Sequence, residues 1–319
     1  MCAESSTRQR TARVLARLSA VTGNSRDSFA RYREELDAMG FRPSSARGQN
    51  FLLDPTLHRY IAEAAAKSPE DVVLEIGVGL GFLTRELAVR SRRVIGVEID
   101  DRLFEIAGRD LADHNNVRLI CADALGGPSR TLHPAVMAIL AEELQAGGAF
   151  VVAANLPYSI SGPLLAELVC QAQLPARAVL LVQKELGDRI AAREGSVDYG
   201  SLSALVQSVF TVRALRIVPP EVFRPRPKVA SLILLLELRA DLPLPLAAAR
   251  QAYARFLRRL FQQRRKTMRT TLPAAAAAVG LAAPKGFSAE FLQQRAEVLS
   301  VSQVLALWQQ IAVEERADR

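Results

Sequence analysis

What this chain has little of narrows its class before any motif is read. Its 319 residues include three cysteines, Cys2, Cys121 and Cys170, too few and too scattered for a disulfide framework or a thiolate metal site. A reducing compartment fits that usage. His58, His114 and His133 are the only histidines; they show no ligand spacing, so no metal is expected. No run approaches the roughly 18 consecutive apolar residues that a membrane span requires. The N-terminus carries charge but not the apolar core of a secretory signal. A soluble protein with no membrane partner is therefore expected. Acids are missing from one long stretch: Leu242 to Ala289 contains no Asp or Glu.

Half of the residues are hydrophobic, enough to bury a real core in one large domain with a smaller one beside it. The net charge of +8 suggests a polyanionic partner, because Lys and Arg bind phosphates and release their condensed counterions. Within the acid-free stretch Arg255, Arg258, Arg259, Arg264, Arg265, Lys266 and Arg269 crowd together. A solvated helix face is the plain explanation. The complete lack of acidic partners favours an RNA-facing surface, with Arg258, Arg264, Arg265, Lys266 and Arg269 as its contacts.

Three regions are expected. Residues 1–45 read as a basic N-terminal extension, with Arg8, Arg10, Arg13 and Arg17 and only Glu4 before Asp27. An Arg-rich bacterial arm and an organellar transit peptide both fit it, the former better, since the whole chain favours Arg and Ala over Lys. Residues 46–240 alternate short apolar runs with amphipathic stretches. Strands are expected at 72–76, 94–99, 117–121, 150–154, 178–183 and 231–238, with helices from about Phe82 and Asp101 and a Pro-punctuated loop over 217–227. This alternation argues for an α/β, Rossmann-like parallel sheet with helices on both faces. Residues 241–319 open on a Pro-rich linker and read as a small all-helical domain: one helix from Ala247 to about Thr270, an Ala-rich piece after Pro273, and a last helix at Ser300, where Ser300 and Gln303 have capping-box spacing.

Glu75-Ile76-Gly77-Val78-Gly79-Leu80-Gly81 lies where a strand meets a helix. Glycines there let the backbone turn sharply and approach a ligand. A dinucleotide fingerprint would want glycine at position 82, where this chain has Phe82. Glu98, ending the next strand, is placed to accept bonds from ribose hydroxyls, and Asp123, after the third, to meet an adenine edge. Each acid alone could equally be a helix cap; three in order after three strands favour a nucleoside pocket. Asn155-Leu156-Pro157-Tyr158 follows the fourth strand. An adenine amine is a poor nucleophile, its lone pair being delocalised into the ring. The Asn155 side-chain oxygen and the Leu156 carbonyl, held by Pro157, suit both N–H groups of that amine, and Tyr158 offers a stacking face. Alone, the motif would read as a proline turn with a core tyrosine.

With Gly48-Gln49-Asn50-Phe51-Leu52, Gln183-Lys184-Glu185, Tyr199-Gly200-Ser201-Leu202-Ser203 and Phe223-Arg224-Pro225-Arg226-Pro227-Lys228-Val229, these segments resemble the ribosomal RNA adenine dimethyltransferase family from about Arg47 to Leu307. The resemblance implies a class I methyltransferase fold and S-adenosylmethionine as cofactor. It implies that Asn50 and Leu52 touch the methionine end of the cofactor and that Gly77, Gly79, Glu98, Asp123 and Asn155 line the rest of its site. Phe223 would close over the target base opposite Tyr158; its residues alone suggest a loop position packed on the core. Phe261 to Thr267 and Arg295 to Ser300 are more similar to the bacterial small-subunit enzymes than to the resistance methylases. The implied activity is dimethylation of two neighbouring adenines in a 3′-terminal hairpin of small-subunit rRNA during assembly, by a cytoplasmic monomer. A large-subunit methylase and a non-catalytic rRNA-binding assembly or transcription factor are the alternatives. The chain departs from the family at Val78, where Pro is common, at Ala46-Arg47, at Met268-Arg269-Thr270, and in an insertion-like stretch from Gly126 to Gly148.

Overall fold

The computed structural model describes Glu34, Asp37 and residues 49–282 and 285–317. The expected N-terminal extension and Gly48 thus lie outside the described residues, apart from those two positions. The frame is a mixed seven-stranded sheet flanked by helices. The chain divides into two compact units, one formed by residues up to Gly126 with 133–157 and 220–228, the other by 127–132, 158–219 and 229 onward.

In the first unit a two-residue strand β1 (Phe51–Leu52) leads into α1 (Pro55–Ala65). Asp54 caps that helix, its Oδ1 accepting from the Thr56 amide at 2.8 Å, and Pro55 opens it where no amide partner is needed. Then follow β2 (Val72–Ile76), α2 (Phe82–Ala88), β3 (Arg93–Glu98), α3 (Asp101–Asp110), β4 (Val117–Cys121), α4 (Pro134–Leu144) and β5 (Phe150–Asn155). The strands lie in the order β4-β3-β2-β5, all parallel. β2 is buried along its whole length and β5 along all but Asn155, as the unbroken apolar runs of parallel strands covered on both faces require. The insertion-like stretch folds into a short 3₁₀ turn and α4, elements that its sequence pattern did not predict.

The second unit holds α5 (Ser161–Cys170), β6 (Arg177–Gln183), α6 (Lys184–Ala191), α7 (Ser201–Gln207) and β7 (Phe210–Val218). In the first unit the chain then forms β8 (Phe223–Arg224), antiparallel to β1, inside the stretch expected to be loop. It returns to the second for β9 (Ser231–Leu238), which pairs antiparallel with both β6 and β7. The sheet is therefore mixed rather than parallel throughout. β7, with most of its residues partly or fully exposed, lacks the apolar run that marks the other strands.

The helical part of this unit comprises α8 (Ala247–Leu260), α9 (Met268–Ala277), α10 (Ala289–Gln293) and α11 (Val301–Ala317). The single helix expected to Thr270 is thus two. Tyr253, Phe256, Leu257 and Leu260 form the buried stripe of α8, but Gln262 to Lys266 offer nothing to bury, and the helix stops where its stripe does. Met268, fully buried, begins α9, its amide donating to the Gln294 carbonyl at 2.8 Å. Pro273 sits inside α9 rather than before a separate piece. Trp308 of α11 packs its ring 5.3 Å from Phe256 and 5.7 Å from Tyr253. The capping box at Ser300 and Gln303 forms as its spacing required.

Candidate active site

The glycine turn is built by its own backbone and braced by one carboxylate. Gly77 and Gly79 take φ of +80° and +57°, the left-handed region in which a side chain would be strained. The Gly77 amide donates to the Val97 carbonyl at 2.8 Å and the Gly79 amide to Glu98 Oε2 at 2.8 Å. Glu98 Oε1 accepts the Ile99 and Asp100 amides, each at 3.0 Å. Glu98 is thus held in place by three amides, while the helix cap behind it is Asp100, which accepts from the Arg102 amide at 3.2 Å. Burial raises the Glu98 pKa, against the opposing pull of those amides. Glu75, 1 % exposed, is pushed up to about 8 by burial, so it is largely protonated at neutral pH. The buried Thr84 hydroxyl faces it and partly offsets that rise.

Against this turn lies the Asn-Leu-Pro segment. A Cβ at Gly77 would stand 3.5 Å from Pro157 Cδ and 3.7 Å from the Asn155 carbonyl. The Asn155 carboxamide Nδ2 donates to the Asn50 carbonyl at 3.0 Å, across 105 residues of sequence. The next residue, Phe51, sets its ring 3.5 Å from where a Gly79 Cβ would be. Neither contact has a signature in the sequence, since each joins segments far apart in the chain. Leu156 is buried, which anchors the turn. Asn50, Gly77, Gly79, Glu98, Asn155 and Pro157 are therefore brought together within one compact unit.

The other expected residues stand as follows. Leu52 is buried in β1, opposite Phe223 of β8. The Phe223 ring is 0 % exposed, packed as its residues alone suggested, though on a short strand. Asp123 is half-buried, its Oδ1 accepting the Leu125 amide at 2.9 Å. Tyr158, in the second unit, shares a 2.8 Å hydrogen bond with the buried Ser231 hydroxyl. In that unit Arg255, Arg258, Arg259, Arg264, Arg265, Lys266 and Arg269 are all exposed. Arg264 is paired with Glu297 at 3.1 Å. No other ion pair with a described residue involves the group. His58, absent from the expected site, is buried under β1 with its ring 5.6 Å from Phe82, and burial holds its pKa down to about 4. Among the described residues no cluster of His, Cys, Asp or Glu could hold a metal ion. No helix there is long and apolar enough to cross a membrane.

A model of the ribosomal RNA adenine dimethylase family matches residues 41–300. The chain belongs to that family. It is 42 % identical over 233 residues to the ribosomal RNA small subunit methyltransferase A of Moorella thermoacetica, covering 73 % of this chain and 80 % of the relative. The protein of the same name from Geobacillus thermodenitrificans is 37 % identical over 254 residues, or 79 % of this chain and 81 % of the relative. Among solved structures, a dimethyladenosine transferase from Plasmodium falciparum shares the fold with a TM-score of 0.62 at 23 % identity, covering 83 % of this chain and 96 % of that one. The 23S rRNA methyltransferase ErmE aligns with a TM-score of 0.55 at 26 % identity, over 82 % and 99 %. Membership makes the chain an rRNA adenine dimethyltransferase with S-adenosylmethionine as cofactor. The turn fits that cofactor. Gly77 and Gly79 present backbone with no Cβ, and the Glu98 carboxylate is held beside them by three amides.

Proposed function

We propose that this enzyme dimethylates N6 of two adjacent adenines in a 3′-terminal hairpin of small-subunit rRNA, acting as a monomer on assembling subunits in a bacterial cytoplasm. The single observation that carries the chemical assignment is the hydrogen bond from Asn155 Nδ2 to the Asn50 carbonyl. With its nitrogen engaged there, the carboxamide turns its oxygen away as an acceptor. Asn155 Oδ1 and the Leu156 carbonyl take the two N–H groups of the target amine, favouring a pyramidal nitrogen whose lone pair is free to attack. The cofactor, when bound, supplies a methyl group on a positively charged sulfur. Since that group is already activated, orientation rather than a strong base supplies much of the rate. As the new C–N bond forms the methyl–sulfur bond breaks, leaving the demethylated cofactor as a neutral thioether, and the amine proton passes to water. In the second transfer the monomethylated nitrogen has one N–H left and keeps one of the two hydrogen bonds.

Gly77, Gly79, Glu98 and Asp123 would hold the nucleoside part of the cofactor, and Asn50 and Leu52 its methionine end. Tyr158 and Phe223 are assigned to stacking on the base. For Phe223 this requires uncovering a ring that is now wholly buried. The helical stretch from residue 241 contributes the RNA surface, supported by its exposed and nearly unpaired cations. The small-subunit assignment draws its support from relatives named for that subunit.

Transfer of labelled methyl from S-adenosylmethionine to undermethylated small subunits, large subunits and free rRNA, with nucleotide mapping, tests the substrate. Dimethyladenine at adjacent small-subunit sites is expected; label confined to the large subunit would overturn the assignment. Asn155→Ala should lower the transfer rate by about 10²–10³-fold, the loss typical of one well-placed polar partner in a transition state, while RNA affinity stays within about twofold. Near-normal turnover would remove Asn155 from its role.

A further inference from the structure

We infer that Phe51 is a positioning residue for methyl transfer: its ring clamps the strap Asn50–Leu53 onto the glycine turn, and the strap in turn sets the orientation of the Asn155 carboxamide. The inference rests on the reading of Asn155 given above and adds to it the element that aims this side chain.

Four observations meet on these residues. The Asn50 carbonyl accepts Asn155 Nδ2 at 3.0 Å, so a shift of the strap along its own axis rotates the amide whose oxygen faces the reacting amine. The Phe51 ring stands 3.5 Å from where a Gly79 Cβ would be and packs with Phe82 against Leu80, Leu103 and Ile106, so its position is fixed by the turn and by the first helices beyond it. Leu52 pairs with Phe223, and the Leu53 amide donates to the Val222 carbonyl at 2.9 Å. Finally, among the described residues β1 pairs with β8 alone. A strand of two residues with so little ladder has almost no rigidity of its own. Its register is set by what its side chains touch, and Phe51 is the large one. A Cβ at position 79 would meet that ring at ordinary van der Waals distance, so glycine is required there by its φ of +57° rather than by want of space.

A role in bulk packing alone would make loss of the ring lower stability without selectively lowering kcat. A positioning role makes it lower kcat in protein that remains folded, since displacements on the order of 1 Å in a catalytic array cost about a hundredfold. With undermethylated small subunits and saturating S-adenosylmethionine, Phe51→Ala is expected to lower kcat by roughly tenfold to 100-fold. KM for the RNA substrate should stay within about twofold, and Phe51→Tyr should recover most of the rate. Unchanged kcat in Phe51→Ala, or a loss cured entirely by more cofactor, would overturn the inference.

A measurement on the unaltered protein stands apart from any folding defect. The Asn155 carboxamide, observed by nitrogen-15 NMR with labelled asparagine, should show one proton shifted downfield and slow to exchange. Both protons at free-carboxamide shifts and in fast exchange would remove the Asn155–Asn50 bond, and with it the inference, without any variant. Phe51→Leu, smaller but still apolar, replaces Phe51→Ala for kinetics if the latter does not fold. Asn155→Ala separates the two readings. If it leaves activity intact, the chemical assignment fails; if it abolishes activity while the Phe51 variants turn over normally, only the strap's role fails.

Discussion

In the first unit the acids at the glycine turn are buried, and cations at the far end of its strands are partnered. Glu75 and Glu98 are 1 % and 6 % exposed, Arg90 meets Glu86 at 2.7 Å, and Arg92 donates to the Glu143 and Gly147 carbonyls at 2.6 and 2.8 Å. Between Arg255 and Arg269 the arrangement is reversed: seven cations stand exposed and only Arg264 has a carboxylate partner among the described residues. α8 contains the contrast within one helix. Arg250, 0 % exposed, donates to the carbonyls of Val169 and Leu244 at 2.7 Å each, of Pro245 at 2.6 Å, and of Gln171. Two turns later Arg258 points to water. A charge answered from within the fold organises structure, and a charge left unanswered at the surface is available to a partner.

That contrast can be broken most sharply at the exposed end. Replacing Arg258, Arg265, Lys266 and Arg269 by Glu should lower rRNA affinity by about a hundredfold or more at moderate salt. It should also flatten the plot of log K against log salt by about 0.7–0.9 for each phosphate that is no longer neutralised. Arg264→Glu alone should do less than Arg265→Glu, because Glu297 already answers Arg264. Titrations of labelled rRNA at several salt concentrations measure both, and an unchanged slope would place the RNA surface elsewhere.

At the buried end, Arg250→Ala should destabilise the protein by about 3 kcal/mol, because it leaves several buried carbonyls without donors. Lys should rescue little, since a single ammonium cannot reproduce the guanidinium fork. Arg258→Ala should stay within about 0.5 kcal/mol of the parent. Denaturant midpoints of the three variants test whether burial, rather than residue type, divides the two arginines.

The smallest effect concerns the buried acid of the turn. Glu75 keeps its proton up to about pH 8 in the folded state, whereas in the unfolded chain it ionises near its ordinary 4.5. Between those values the folded protein binds more protons, so this group's contribution to stability is full below about 4.5 and is lost as pH rises through 8. Glu75→Gln removes the titration. The variant should gain on the parent by about 2.5 kcal/mol between pH 5.5 and 7.5, read from unfolding curves at both. A difference independent of pH would mean that Glu75 is ionised where it lies.

The parallel strands, the glycine turn and the Asn-Leu-Pro-Tyr motif were legible in the sequence because each is local. Buried parallel strands are continuous apolar runs, and a phosphate- or nucleoside-binding turn needs its glycines at fixed spacing. β7 was not legible, being largely exposed and without an apolar run, and the break after Leu260 was missed because residues 261–267 do not disfavour helix. Only the end of the buried stripe stops it. Phe223 shows the same limit, since its residues suggested a packed position and the family resemblance a stacking one, while its place opposite Leu52 depends on a pairing across some 170 residues.

By itself, then, the sequence determined the family, the cofactor, the parallel half of the sheet and the cluster of cations, all of which rest on residue type at short spacing. Tertiary structure decided which charges are answered and which are free, that Glu98 braces the turn through three backbone amides, and that the Asn50 carbonyl and the Phe51 ring meet Asn155 and Gly79. Those are contacts between segments far apart in the chain, and their distances exist only once the chain has closed on itself.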